Sequence, residues 1–252
     1  MSAPSPDPDP QAHRELLARL DRDQERIRDE NEWMRPDPQA ERVARHAERE
    51  ARESLGDAFP WNAVRVLLPA NADPLAPVEA TRRELFAAHL ADLAARVSAE
   101  PDCSPVPEAP EDGPAALIAA ACTACRGSCC RSGGDHAYLT EETLARAWRA
   151  RPDRPLAEVV DAYTRLLPAE SVRDSCIYHA ATGCALPRAL RSDTCNRHLC
   201  GKLKQLLTTL PAERPPPLLA VLFDDGRWAR TALIDASGAR ILAEEAPDSG
   251  PA

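Results

Sequence analysis

Eight of the nine cysteines in this 252-residue chain fall in the 79 residues from Cys122 to Cys200. They come as two sets, Cys122-Thr-Ala-Cys125-Arg-Gly-Ser-Cys129-Cys130 and Cys176-x7-Cys184-x10-Cys195-x4-Cys200. The compartment decides what such a density means. The opening MSAPSPDPDPQAHRELL has no basic n-region and no apolar h-region, so no export signal is expected and the cytoplasm is the expected location. The longest apolar run, Ala115–Cys122, is far short of the ~20 residues a membrane helix needs. In a reducing compartment thiols stay free, and metal ligation outranks both a disulfide framework and a set of idle buried thiols.

The spacing suits ligation. A CxxC turn folds two sulfurs to one side of the backbone, where they converge on one ion. Gly127 lets the loop turn tightly before the next pair. Neighbouring side chains diverge, so Cys129 and Cys130 serve two ions, or one ligates while the other packs. Four plus four thiols fit either two four-coordinate sites or one cluster with supporting cysteines. Residues 122–204 carry 13 basic and 9 acidic side chains, a local +4 in a chain whose formal charge is −9. That surround compensates a thiolate-rich centre.

The strings CTACRGSCC and SCIYHAATGCALPRALRSDTCNRHLC resemble the YkgJ-type cysteine-cluster family, described as a zinc- or iron-chelating domain. The resemblance covers about residues 115–205, a third of the chain. It implies metal ligation by Cys122, Cys125, Cys129, Cys130, Cys176, Cys184, Cys195 and Cys200. The family includes the domain of flagellin lysine N-methylases, so the alternative it implies is an enzyme of the protein-modification, methylase-like type that uses the cluster. Two departures from the family pattern touch no ligand. Arg191-Ser192 stands where the family commonly has Arg-Pro, and the later flanks are less aromatic.

Softness of thiolates suits zinc and iron alike, so ligand type does not choose the metal. Only Cys122-x2-Cys125 has the short spacing of a zinc knuckle, and the second set spreads over 25 residues. Ligands gathered from several loops around one larger cluster favour an iron–sulfur cluster, with zinc as the alternative. His136, His179 and His198 lie near the block and are expected to support rather than ligate, since eight thiols suffice. Cys103 is a bystander, and His13, His46 and His89 read as surface residues. Arg126, Arg131, Arg188, Arg191 and Arg197 are expected to balance thiolate charge rather than bind an anionic ligand.

No GxGxxG, Walker A, HExxH or GxSxG string occurs, and no glycine-rich methyl-donor loop follows a strand. Nucleotide binding and those hydrolytic chemistries are thereby disfavoured, and the methylase-like alternative is weakened. The acidic balance argues against nucleic acid and membrane surfaces as partners.

Around the block the chain reads as follows. Residues 1–55 form a charged helical arm, disordered at the start, with Leu16, Leu17, Leu20 and Ile27 at helical spacing and a second helix to Leu55. This arm is the expected contact for a protein partner. Residues 56–100 hold AVRVLLP, an edge strand or docking segment, and a helix over Val78–Glu100 with Leu85, Phe86, Leu90, Leu93 and Val97 on one stripe. Residues 101–114, with five prolines and four acidic side chains, are a linker. Residues 115–210 are the metal-binding domain, with helices expected over Ala115–Ala121, Thr140–Arg149, Leu156–Leu167 and Thr194–Leu210. In 211–252, Asp225-Gly226 and Ser237-Gly238 punctuate three β-prone runs, the signature of an antiparallel meander. The expected fold is mainly α with a small C-terminal antiparallel β-meander, its helical domain clamped by metal. The expected function is a cysteine-cluster metal-binding module with a structural or redox/metal-sensing role.

Overall fold

The computed structural model describes residues 37–97 and 113–245. The expected leading helix with Leu16, Leu17, Leu20 and Ile27, most of the proline-rich stretch, Cys103 and His13 lie outside the described residues. The fold is mixed α/β, and its β part is larger than a three-stranded meander. Strands β6 (Leu218–Asp224), β7 (Arg227–Asp235) and β8 (Gly238–Glu244) do run antiparallel. Asp225 and Gly226 both take positive φ (46° and 79°), the backbone a two-residue hairpin turn needs. Strand β1 (Val64–Pro69) adds parallel to β6, from Val64 opposite Leu218 to Pro69 opposite Phe223. The result is a four-stranded mixed sheet in the order β1-β6-β7-β8.

Burial explains why β1 is there. Residues Leu218–Leu222 are all buried, so β6 has to be covered on both faces, as a central strand is. As the first strand of an isolated meander it would sit at an edge; β1 removes that edge.

Helix α1 (Pro38–Leu55) covers one face of the sheet. Asp37 caps it by accepting the Gln39 N–H at 3.0 Å. Its small stripe Ala44, Ala47 and Ala51 packs against Val221 and Leu219. Arg65 on β1 reaches back to Glu48 (2.7 Å) and Glu41 (3.3 Å), so the second half of the charged arm is docked on the sheet.

The other face carries the first large core. Leu117, Ile118 and Ala121, with Leu203, Leu206 and Leu210 from further along the chain, pack on Val66, Leu68, Leu218, Ala220 and Leu222. A second core lies away from the sheet. It gathers Phe86, Leu90 and Leu93 of α2 (Ala80–Arg96), Leu144 and Ala147 of α4 (Glu141–Arg149), and Val159 and Tyr163 of α5 (Leu156–Arg165) around Ile177 and Tyr178. Tyr163 donates to the Leu190 carbonyl at 3.0 Å, and Tyr178 to the Tyr163 carbonyl at 2.7 Å. Of the stripe expected on α2, Leu85 points away and is 60% exposed. Strand β2 (Leu75–Pro77) pairs with β3 (Glu170–Val172) and links the two halves. Among the described residues no helix is long and apolar enough to cross a membrane.

Candidate metal centre

Between the two cores lies a cavity of about 520 Å³, and six block cysteines line it: Cys122, Cys129, Cys130, Cys176, Cys184 and Cys195. Cys125 and Cys200 sit beside it, each near enough to Cys122 to act on its charge. All eight are free thiols. As the side chains stand, no three His, Cys, Asp or Glu among the described residues converge closely enough to hold one ion. The thiols ring a space rather than a point.

The first CxxC is helical, not a free turn. Helix α3 (Gly113–Cys125) runs four residues past its expected end at Ala121, so Cys122 and Cys125 share one face of its last turn, three residues apart. Helix α3 ends at Arg126 and Gly127, both with left-handed φ (54° and 80°). This reversal turns the following N–H groups back, and the Ser128 N–H points at the Cys125 sulfur at 3.4 Å. A 3₁₀ turn over Ser128–Gly133 then carries Cys129 and Cys130. At three residues per turn, neighbouring side chains leave the axis about 120° apart.

Two glycines make room for the sulfurs. A Cβ on Gly127 would lie 2.8 Å from the Cys130 sulfur and 2.8 Å from Nε2 of His179. One on Gly133 would lie 2.8 Å from Cβ of Cys176. Gly127 was visible in the sequence as a turn residue; the packing role of Gly133 has no sequence signal.

The second set arrives on short elements. Strands β4 (His179–Ala180) and β5 (Gly183–Cys184) place Cys184 opposite His179. The helix expected over Thr194–Leu210 is two helices, α6 (Asp193–Arg197) and α7 (Gly201–Thr209). Cys200 has extended backbone (φ −65°, ψ 160°) at the start of α7, and that break turns its thiol toward α3. Ser192 caps α6 by accepting the Cys195 N–H at 3.1 Å. His179 is buried and fully used: its Nε2–H donates to the Arg126 carbonyl at 2.6 Å, and its Nδ1 pairs with the Ser175 hydroxyl at 2.7 Å. It therefore supports the loop after CxxC, while burial holds its pKa down and keeps it neutral. His198 lines the cavity, and His136 is exposed, with Nδ1 accepting the Tyr138 N–H at 3.0 Å.

Without a cation the buried thiols keep their protons. Burial, then the neighbouring Cys125, Cys129 and Cys200, push Cys122 up to about 12. Burial, with Cys184 and Cys195 nearby, does the same to Cys176, also to about 12. Burial raises Cys125 and Cys195 as well, against hydrogen bonds from the Ser128 and Gly127 N–H groups and from Ser192 respectively. Cys129 is the exception. The hydrogen bond from the Cys130 thiol brings it below the ordinary thiol value against the effect of burial, with His198 assisting, while Cys130, the donor, is raised. A soft cation entering this ring would displace the protons.

The arginines expected to surround the block divide in two. Arg126, Arg188, Arg191 and Arg197 line the cavity. Arg131 instead ties the 3₁₀ turn to the sheet through Asp224 (2.7 Å) and Asp73 (2.8 Å). A residue the sequence reading passed over completes that tie. Arg230, 2% exposed on β7, donates to the carbonyls of Ala124 (3.1 Å), Cys125 (3.3 Å) and Asn71 (2.8 Å). It thus caps the cysteine-bearing end of α3. A charge in the middle of the apolar run WARTALID was the available signal.

Compared with known proteins, the chain matches no family model, no curated protein and no solved structure.

Proposed function

We propose that the chain is a thiolate-ligated metal protein whose cysteine ring holds iron–sulfur chemistry between two packed cores. The observation that carries the reading is the cavity of about 520 Å³ lined by six of the eight block cysteines, with the other two at its side. The donor set is right for the group: soft sulfurs, backbone N–H groups aimed at sulfur, glycines where a Cβ would strike a thiol or its carbon, and arginines to offset negative charge. Size favours sulfide-bridged clusters over bare zinc. A zinc ion draws four thiolates to about 2.3 Å and needs no open space among them. When bound, such a cluster supplies one-electron chemistry and a covalent tie between the cores; the chain's own residues orient the thiols and compensate their charge. The role that follows is a structural or redox-sensing module.

Protein purified without oxygen tests this directly. It is expected to be brown, with broad visible absorption and stoichiometric iron and acid-labile sulfide. Iron and sulfide both below one equivalent, with zinc present, would overturn the choice of metal. Metal-free protein would overturn the function.

A further inference from the structure

The charge around the cavity has one sign. Four arginines line it, and among the described residues no Asp or Glu does. Cys129 and Cys195 are the exposed members of the ring, so the cavity opens to the surface at these two thiols. The chain around that opening is short of acid. Residues 176–210 carry five Arg or Lys and one Asp, a net of +4 in a chain of −9. The single acid, Asp193, is taken by the buried Arg146 of α4.

These cations divide by what they touch. Arg191 is fixed in the wall, donating from Nε to the Leu186 carbonyl at 2.8 Å and from Nη2 to the Cys184 carbonyl at 3.3 Å. Arg188 donates to the Asn196 carbonyl at 3.4 Å, and Arg126 pairs with Glu244. Arg197 and Lys204 differ. Both are exposed, and neither side chain makes a hydrogen bond or ion pair with a described residue. Arg197 lines the cavity two residues past Cys195, with the exposed His198 beside it. Lys204 stands on α7 one turn after Cys200 and three residues before the cavity-lining Leu207, spacings that share a helix face.

We infer that this rim is the docking surface for an acidic protein that carries single electrons, and that the carrier meets the ring where Cys129 and Cys195 reach the surface. This deepens the iron–sulfur reading above, on which it rests, by naming the partner and the point of electron entry. The reduced carrier hands over one electron and leaves oxidised, with no bond made or broken. Electron-transfer encounters are small and weak, and complementary charge gives them speed and orientation more than tight contact does. The acidic remainder of the chain repels the same partner elsewhere, so approach is directed to this side. A small anion is served less well, because guanidiniums inside the cavity are already turned to carbonyls or to Glu244.

The probe is flavodoxin, a small acidic one-electron carrier whose flavin reports both binding and oxidation state. The full chain, purified anaerobically and assayed for iron first, is expected to bind oxidised flavodoxin. Its affinity is expected to fall about tenfold as salt rises from about 20 to about 200 mM. Arg197→Glu combined with Lys204→Glu is expected to weaken binding about tenfold, and to slow in proportion the bleaching of the chain's visible absorption by reduced flavodoxin. Arg42→Glu with Arg49→Glu makes the same charge change on exposed residues of α1 and is expected to shift both by less than about threefold. Equal effects of the two double variants, no binding by iron-loaded wild type, or binding without electron transfer would overturn the inference and leave iron binding standing. Inorganic phosphate that displaces flavodoxin where chloride at equal ionic strength does not would give the rim to a small anion and overturn it too. Iron-free wild type would overturn the underlying reading. Should the rim variant fail to fold by circular dichroism, the wild type decides alone: affinity unchanged by salt refutes the docking surface.

Discussion

Arg230→Met isolates the residue that fastens the end of α3 to the sheet. Replacing a buried ion pair with a well-packed apolar side chain is often neutral or stabilising. Here the outcome should be the reverse, because most of Arg230's partners are backbone carbonyls, which substitution cannot remove. Of the three, Cys125 keeps a donor in the Asn71 N–H at 2.9 Å. Ala124 and Asn71 lose the bonds they receive from Arg230, at 3.1 and 2.8 Å. A buried carbonyl left unsatisfied costs about 1–3 kcal/mol, so two cost roughly 2–6. Part of that returns, since the variant no longer buries a guanidinium whose Nε has no partner. Glu244 adds little, being 32% exposed and still paired with Arg126. The net loss is on the order of 2–4 kcal/mol, a fall in unfolding temperature of roughly 5–15 °C for a chain of this size. Thermal unfolding followed by far-ultraviolet circular dichroism measures it, in matched metal-loaded samples. A midpoint equal to or above wild type would refute the reasoning, since the two carbonyls would then have found other partners at no cost.

Three further outcomes are expected. Gly127→Ala combines a left-handed φ with a clash at 2.8 Å and should lose about 2–4 kcal/mol, whereas Gly226→Ala, at nearly the same φ with nothing within 4 Å, should lose only the backbone strain of about 1–2; equal losses in urea titrations would contradict the packing argument. Glu48 has its pKa lowered: burial raises it, but hydrogen bonds from Arg52 and Arg65 outweigh burial, so the native state binds protons less readily than the unfolded one. Its contribution is therefore present above the ordinary Glu value and lost as pH falls through the lowered one; Glu48→Gln should cost about 0.5–1 kcal/mol at pH 7, and the difference from wild type should shrink in denaturant midpoints as pH is taken below the ordinary Glu range. Chelation or Cys125→Ser should lower the unfolding temperature sharply, while Cys103→Ser should leave it unchanged; equal shifts from the two substitutions would remove the structural role of the centre.

Local chemistry was readable wherever a residue acts through its own backbone. Thr140 caps Glu141–Arg149 by accepting the Thr143 N–H at 3.3 Å, and Asp225-Gly226 turns β6 into β7. What the sequence hid depends on partners far along the chain. AVRVLLP is short and could pair anywhere until β6 is known to need a second neighbour. Leu85 satisfies the helical stripe on α2 yet faces solvent, because the second core ends at Phe86, Leu90 and Leu93. Periodicity also carries straight through residues 194–210, although the extended backbone at Cys200 breaks the helix there. The cysteines show the same limit. Spacing groups them as neighbours in sequence, whereas packing sets Cys122, Cys125 and Cys200 on one core and Cys130, Cys176 and Cys184 on the other. No pattern of intervals encodes that sorting.

The parallel pairing of β1 with β6 sets an order of events during synthesis. Val64 finds Leu218 only after the whole cysteine block has left the ribosome. Until then β1 is a strand without a sheet, and α1 lacks Val221 and Leu219 to rest on. The second core, by contrast, draws its residues from Val78 to Leu190 and contains nothing from the three C-terminal strands. The nascent chain thus has its whole cysteine block in place with one core able to close and the other waiting. Closing so long a loop is slow relative to local helix pairing. The late arrival of β6–β8 leaves an interval in which the metal proposed above would reach the thiols before the sheet shuts around α3.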